Sequence, residues 1–297
     1  MDAGFLLSFL FNTFFYFSIL ISVSVGLTLI FGVLGILNLT HGAFYALGAY
    51  FTISIFSYFT GTSNPVLYTI LLIVASFSVG VIGMLTERLL IRPVYRLAQE
   101  YQLLLTFSIS LVIYDIIRYI WGVMPYLHRE FFSSLGYVEI AGSIFPLYYI
   151  LLIGMSLLSL LALYLLLYKT KIGLLIRAAS MDKDMAIGLG INVKMLYSLV
   201  FGLGVMLAAY GGALQVPFTA ITLGMGGEET NMAFAIIAIG GLGSLKGALL
   251  GAFIVSLVRA LGVFYFPELE LVVIYLVMFL ILCVRPFGLY GKYERRV

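Results

Sequence analysis

The sequence predicts an all-α integral membrane protein with about eight or nine transmembrane helices, some of them short or discontinuous. Of its 297 residues, 63% are hydrophobic and 10% are charged, whereas soluble domains have about 45–50% apolar and about 25% charged residues. Several uncharged runs exceed the roughly 20 residues that an α-helix needs to cross a bilayer. Runs of this length favour helices over barrel strands, in which polar and apolar residues alternate.

Nine segments account for the predicted helices, and together they form a single transmembrane domain over residues 1–297. Six are long and almost uncharged, and Arg259 is the one charge within them. The other three are shorter or carry charges, among them Asp115 and Arg118. The long runs cover residues 5–30, 34–60, 66–86, 145–168, 195–215 and 247–266, and the weaker ones cover 101–120, 231–243 and 269–284.

The distribution of basic residues predicts the orientation. Thirteen of the 16 Lys and Arg residues fall within 88–96, 169–194 and 285–296 or at Lys246. Basic residues concentrate on the cytoplasmic side of membrane proteins, so we expect the amino terminus outside and the carboxyl terminus in the cytoplasm of a cell-membrane protein. The remaining loops, expected outside, are acidic and contain Glu130, Glu139, Glu228, Glu229, Glu268 and Glu270.

Polar residues interrupt the apolar pattern after the first run. Asn38, Thr40, His41 and Gly42 either belong to an unwound helix lining a solute path, since irregular backbone in a membrane must be buried or face a wet cavity, or form a plain connection near the cytoplasmic edge. A second Gly-rich segment resembles the first and suggests an internal repeat, which is typical of a transport site. Its candidate path residues are Gly240, Gly241 and Gly243.

The other polar residues do not indicate an enzyme, a cofactor or a nucleic-acid partner. Asp115, Arg118 and Arg259 lie within apolar runs, where snorkelling or packing between helices is the favoured interpretation. His41 has no neighbouring metal ligands, and the single cysteine, Cys283, excludes a thiolate cluster. A phosphate loop requires GxxxxGK[ST], and no segment matches it.

The predicted cytoplasmic loop, residues 169–194, is the most informative segment. Residues 172–192 keep apolar residues at helical intervals, with Asp182 as the exception and Gly188 and Gly190 as stop signals. Acidic residues suit an anionic lipid surface poorly, so we expect this amphipathic helix to dock into a groove of a cytosolic protein. Such a helix on a chain without an ATP motif favours a transporter driven by a separate motor.

Four sequence blocks, in order, resemble the permeases of branched-chain amino acid ABC importers of the LivH/LivM type, and LivH more closely. The first is Gly35–Gly42 with Gly48-Ala49-Tyr50, and the second is Glu87-Arg88 with Arg92-Pro93-Val94. The third is Gly173 through Ala178 with Asp182 to Asn192, and the fourth is Gly240–Ser244 with Gly247-Ala248.

The resemblance implies an inner-membrane subunit with four kinds of partner: a homologous second permease or a second copy, two cytosolic ATP-binding subunits, an extracytoplasmic substrate-binding protein, and membrane lipid. Leu39-Thr40 and Ala43 depart from the family pattern, which leaves urea or short amides as alternative solutes. A proton-coupled secondary transporter is the other alternative. The ATPase-coupling residues that the resemblance implies are Arg177, Ala178, Ala179, Asp182, Met185, Ala186, Gly188, Leu189, Gly190, Ile191 and Asn192.

Overall fold

The computed structural model describes residues 3–59, 64–140, 142–265 and 267–291, which form twelve α-helices and one β-hairpin. The hairpin pairs β1 (Tyr137–Ile140) with β2 (Ser143–Pro146) in antiparallel register. The helices are α1 (Ala3–Leu34), α2 (His41–Tyr58), α3 (Pro65–Thr86), α4 (Gln99–Trp121), α5 (Glu130–Leu135), α6 (Leu147–Lys169), α7 (Lys171–Met181), α8 (Lys183–Gly188), α9 (Val193–Gln215), α10 (Met225–Gly240), α11 (Leu245–Tyr265) and α12 (Glu270–Val284).

Seven helices are long and apolar enough to cross a membrane: α1, α3, α4, α6, α9, α11 and α12. The predicted all-α membrane protein is therefore confirmed. The shorter α2 and α10 are mostly buried among the other helices. The prediction for 231–243 needs correction, because this helix is Met225–Gly240 and begins six residues earlier than expected. Its first turn is rich in Gly and Glu, and the sequence there resembles a loop.

One end of the bundle, named here the basic end, collects the ends of α1, α3, α6, α10 and α12 and the starts of α4, α9 and α11. Arg92, after α3, donates to the carbonyl of Lys194 at the start of α9 (3.0 Å). Leu289, after α12, donates its backbone N–H to the carbonyl of Ile239 near the end of α10 (2.8 Å). Ten of the 13 basic residues in the described part of the chain lie at this end.

Helix α9 lies at the centre of the bundle and contacts α1, α2 and α3. Small residues make the close approach possible. A Cβ on Gly204 would lie 2.7 Å from the carbonyl oxygen of Gly26 in α1, and α9 packs on Gly80 of α3 through Gly202. Membrane helices associate through close backbone packing, since burial of apolar surface from lipid gives little driving force. Any displacement of α9 must therefore move its three neighbours.

Candidate functional site

The segment between α1 and α2 turns back into the bundle. Helix α1 ends at Leu34, and the chain is irregular over residues 35–40. His41, the first residue of α2, places its Nε2 2.9 Å from the carbonyl oxygen of Val23. Val23 precedes the end of α1 by 11 residues, which is about 16 Å of helix. Because the hydrocarbon layer is about 30 Å thick, α2 begins close to mid-depth.

The polar groups of this segment are buried and only partly satisfied. Asn38, Thr40 and His41 are each 0% exposed. Asn38 Oδ1 accepts from the backbone N–H of Thr40 (3.1 Å) and from its hydroxyl. In the part of the chain that the structure describes, Asn38 Nδ2 and His41 Nδ1 have no hydrogen-bond partner. Unsatisfied buried polar groups are rare and costly in a membrane, so the arrangement favours a functional use over a plain connection.

Gly42 fixes α2 against the first turns of α10. A Cβ at Gly42 would overlap the carbonyl oxygen of Gly226 and the hydroxyl of Thr230. Only glycine therefore fits at this crossing, which brings the irregular segment beside the first turns of α10. There Gln215, the last residue of α9, donates its amide to Glu229 Oε1 at 3.1 Å. Four predicted path residues, Asn38, Thr40, His41 and Gly42, thus share one neighbourhood.

The other three predicted path residues lie elsewhere. Gly240, Gly241 and Gly243 form the tight turn between α10 and α11 at the basic end, with φ of +103° at Gly241 and +76° at Gly243. From Gly226 to Gly240 there are 14 residues of helix, which corresponds to about 21 Å. The two groups do not form one site, because this length of helix separates them. The similar pairs Gly42-Ala43 and Gly247-Ala248 lie in the first turns of two different helices, α2 and α11, which both pack on α10.

The charged residues within apolar runs also separate into two kinds. Asp115 and Arg118 of α4 lie 3.9 Å apart, with side chains 77% and 64% exposed, so they line no buried route. Arg259 of α11 donates to Glu270 of α12 at 2.6 Å, and its guanidinium lies over the ring of Tyr16 (4.7 Å). Arg259 therefore has partners on two other helices, in agreement with the packing interpretation.

The predicted coupling helix consists of two helices, which corrects the prediction of a single helix over 172–192. Helix α7 ends at Met181, and Asp182 caps α8 by accepting from the backbone N–H of Met185 (2.9 Å). Helix α8 ends in a Schellman motif, in which Ile191 donates to the carbonyl of Ala186 and Gly190 (φ +80°) to that of Ile187. Asp182 interrupts the apolar pattern because it is an N-cap.

Helices α7 and α8 bury one face and expose the other. Ile176, Ala179 and Ala186 are at most 3% exposed and hold the pair on the bundle, where α7 packs on α1 and α9. Met185 and Leu189, by contrast, are 65% and 75% exposed. The guanidinium of Arg177 lies 5.0 Å from the ring centre of Tyr168, Ala178 is half-buried, and Gly188 and Asn192 are exposed. Asn192 caps α9 through the N–H of Met195.

A buried polar cluster joins the end of α3 to the start of α9. The carboxylate of Glu87, 0% exposed, accepts from Arg92 (2.8 Å) and Tyr95 (2.6 Å) and from the hydroxyl of Ser198. Burial, and then the hydrogen bond to this carboxylate, raises the pKa of Tyr95 above its ordinary value, so its hydroxyl stays a donor. The cluster lies beside α8, since Tyr95 packs edge-on against Tyr197, and Lys183 of α8 lies over the Tyr197 ring.

Sequence reasoning missed two functional candidates. The sequence predicts Glu229 in an acidic outer loop. In the structure it belongs to α10 and is only 8% exposed. The neighbouring Glu228 lies in the first turn of α10, where acidic residues signal a helix start, and this signal could have placed Glu229 in a helix. The sequence shows Glu87 and Arg92 only as part of a family motif. Their hydrogen-bond partner Ser198 is remote in sequence, so no local pattern indicates the cluster.

A bundle of apolar helices with an unwound polar segment at mid-depth, and an exposed helix pair at one end, belongs to the class of multi-pass membrane transport permeases. The chain belongs to the family described as "Branched-chain amino acid transport system / permease component", whose sequence model matches residues 9–282. The resemblance seen in the four sequence blocks is thereby confirmed, as is the assignment to the permease subunits of ABC importers, a transport family and not an enzyme class.

Known relatives match along nearly the whole chain. The high-affinity branched-chain amino acid transport system permease protein LivH of Escherichia coli K12 is 28% identical, over 92% of this chain and 91% of that protein. The corresponding protein BraD of Pseudomonas aeruginosa is 26% identical over 92% and 91%. A probable branched-chain amino acid transport permease protein LivH of Methanocaldococcus jannaschii is 26% identical over 93% and 90%. No solved structure matches the chain.

Proposed function

We propose that this chain forms the translocation path for branched-chain or related amino acids in an ABC importer, with ATP hydrolysis on separate subunits. The observation that supports it most is the family match over residues 9–282, and the relatives' names suggest the solute class. The complete importer contains a second, homologous permease or a second copy, two cytosolic ATP-binding subunits and an extracytoplasmic substrate-binding protein. Urea or a short amide is the alternative solute.

The proposed orientation puts the basic end in the cytoplasm, with the amino terminus outside and the carboxyl terminus inside. The clustering of ten basic residues at this end supports the orientation through the positive-inside rule. It places α7 and α8 on the side where ATP is available. A proton-coupled transporter has less support, because Asp115 and Arg118 are exposed and lie on one face of α4.

The proposed coupling route runs from α8 through α9 to the path. Met185 and Leu189 offer exposed apolar side chains to a groove on an ATP-binding subunit. Asn192 joins α8 to α9 with no intervening loop beyond the Schellman motif. Because α9 contacts α1, α2 and α3, a movement of α8 reaches the segment between α1 and α2, which includes Asn38 and His41.

Alternating access requires closures at both ends of the path. At the end opposite the basic end, Tyr126 and Ile221 form a two-bond bridge between the loops after α4 and after α9, with N–H···O distances of 3.0 and 2.8 Å. At the basic end, the turn at Gly241 packs against Gly291. We infer that the first closure opens to the binding protein and the second opens to the cytoplasm.

Reconstitution in vesicles tests the proposed function. The chain, its partner permease and the ATP-binding subunits are incorporated, and uptake of labelled leucine is measured with and without ATP and binding protein. We expect uptake only when all components and ATP are present, with competition by valine and isoleucine and not by urea. Uptake by this chain alone under a proton gradient, or downhill flux without ATP, would contradict the proposal.

A matched pair of substitutions tests the coupling surface. Met185→Glu puts a charge on the exposed face of α8 and should abolish ATP-driven uptake and ATPase stimulation while the protein stays inserted. Met124→Glu, at a 75% exposed position on the opposite end, should leave ATPase coupling intact. In a Cys283→Ser background, Met185→Cys should cross-link to an ATP-binding subunit and Met124→Cys should not. Normal uptake in Met185→Glu, or equal cross-linking at both positions, would refute the assignment.

A further inference from the structure

Glu229 lies at the same depth as His41. It precedes Gly240, the last residue of α10, by 11 residues, or about 16 Å of helix, which matches the distance from Val23 to the end of α1. The ends of α1 and α10 lie at one level, since Gly32 packs against Gly243. A carboxylate in the middle of a membrane is costly and usually has a function.

Only one of the two oxygens of this buried carboxylate has a hydrogen-bond partner among the described residues. Glu229 Oε1 accepts from Gln215, whereas Oε2 has no hydrogen-bond partner in the described chain. The hydroxyl of Tyr45, buried one turn beyond His41, is also without a hydrogen-bond partner there. Tyr45 belongs to α2, which crosses α10 at Gly42 and Gly226. Two orphaned polar atoms thus lie on two crossing helices in the bundle interior, where a carboxylate normally binds a cation or a hydrogen-bond donor.

The charges around Glu229 lack one cation. Arg259 is the cation that acts on Glu229 within the described residues, and it already donates to Glu270 at 2.6 Å. One positive charge therefore faces two carboxylates. The group that completes this cluster must carry a positive charge and donate hydrogen bonds to oxygen. An alkylammonium has both properties, because it offers three N–H donors.

We propose that Glu229, assisted by the hydroxyl of Tyr45 and the amide of Gln215, binds the ammonium group of the transported amino acid at mid-depth. This assignment rests on the proposed function, because only a zwitterionic solute in the path brings the required charge. Gln215, which holds Glu229, is followed directly by the segment 216–224, and Ile221 of this segment forms the bridge with Tyr126. A solute released by a binding protein above that segment meets Glu229 first. The neighbouring apolar side chains then receive its hydrocarbon part without strong selection.

Four variants of the reconstituted importer test this site. Glu229→Gln keeps the size and the contact with Gln215 but removes the charge, and should lower ATP-driven leucine uptake by about 10- to 100-fold, the factor for one charge-assisted hydrogen bond. Glu229→Asp should recover part of the loss. Glu228→Gln, at an exposed position, should transport within twofold of wild type. Glu270→Gln removes the direct partner of Arg259 but leaves Glu229 in place. It therefore shows whether a loss of uptake comes from a disturbed Arg259 or from the missing Glu229 carboxylate.

Stimulation of ATP hydrolysis by the loaded binding protein should persist in Glu229→Gln, since the coupling helices are unchanged. Tyr45→Phe removes one hydroxyl only and should lower uptake by about 3- to 10-fold, which provides a test even if Glu229→Gln fails to insert. Wild-type uptake in Glu229→Gln or Tyr45→Phe, or an equal loss in Glu270→Gln, would overturn the site. Absence of ATP-driven uptake in the wild type would instead overturn the proposed function.

Discussion

Replacing Glu87 by alanine should both destabilise the protein and uncouple it. The carboxylate is fully buried and accepts hydrogen bonds from Arg92, Tyr95 and Ser198. Removing one partner of a buried ion pair costs about 3–5 kcal/mol. The Arg92 side chain is 25% exposed and also donates to the carbonyl of Lys194, so water and this carbonyl offset part of the loss. We expect the lower value, about 3 kcal/mol.

A loss of about 3 kcal/mol lowers the melting temperature by roughly 6–12 °C, at about 2–4 °C per kcal/mol for a large domain. Thermal unfolding of the detergent-solubilised protein measures it, with Glu100→Ala, at an exposed position, as control. Adding Arg92→Met to Glu87→Ala should restore part of the stability, because the uncompensated charge is removed. A melting temperature of Glu87→Ala within 2 °C of wild type, or no recovery in the double variant, would refute this reasoning.

Two further predictions follow from close contacts in the path. Gly42→Val should prevent correct packing of α2 on α10 and abolish uptake, whereas Gly154→Val, where a Cβ meets nothing within 4 Å, should transport normally. Fluorescence size-exclusion chromatography and uptake assays compare the two variants. A functional Gly42→Val variant would contradict the packing. In a Cys283→Ser background, joining cysteines at Tyr126 and Ile221 with a short bifunctional thiol reagent should stop uptake reversibly, and either single cysteine should not. Continued uptake by the cross-linked pair would show that this bridge is not a closure.

The sequence predicted most helices because the membrane limits both their length and their composition. It could not predict where α2 begins, since the depth of His41 depends on its contact with Val23 and on the crossing of Gly42 with Gly226. These partners are brought together by packing between segments remote in the chain. Hydropathy also carried the predicted helix 231–243 past its end at Gly240, and the glycine-rich pattern that marked a break there gave no information on depth.

Local chemistry explains the remaining errors. The apolar spacing predicts one amphipathic helix with Asp182 as an exception. Spacing alone cannot distinguish a polar residue inside one helix from a side-chain acceptor that caps the start of the next helix. Glu229 was assigned to a loop because glycines and acidic residues precede it. Acidic side chains are nevertheless favourable near a helix N-terminus, where they interact with the helix dipole. Asp182 and the neighbour of Glu229, Glu228, follow the rules for helix starts, which should be weighed before loop composition in membrane chains.

The two proposed closures differ in the contacts that hold them shut, and this difference indicates which partner protein opens each of them. The bridge of Tyr126 with Ile221 consists of two hydrogen bonds, each worth about 0.5–1.5 kcal/mol net. Docking of a binding protein at that end could supply this much by binding the open state more tightly. The proposed closure at the basic end also has two hydrogen bonds, from Leu289 to the carbonyl of Ile239 (2.8 Å) and from Tyr290 to that of Gly240 (2.9 Å). In addition, Gly241 packs closely against Gly291, and Gly240 against Gly247. Its opening breaks the glycine contacts as well as two hydrogen bonds. We therefore infer that ATP-driven movement of α8 and α9, which reaches α10 and α11 through α1, opens this end.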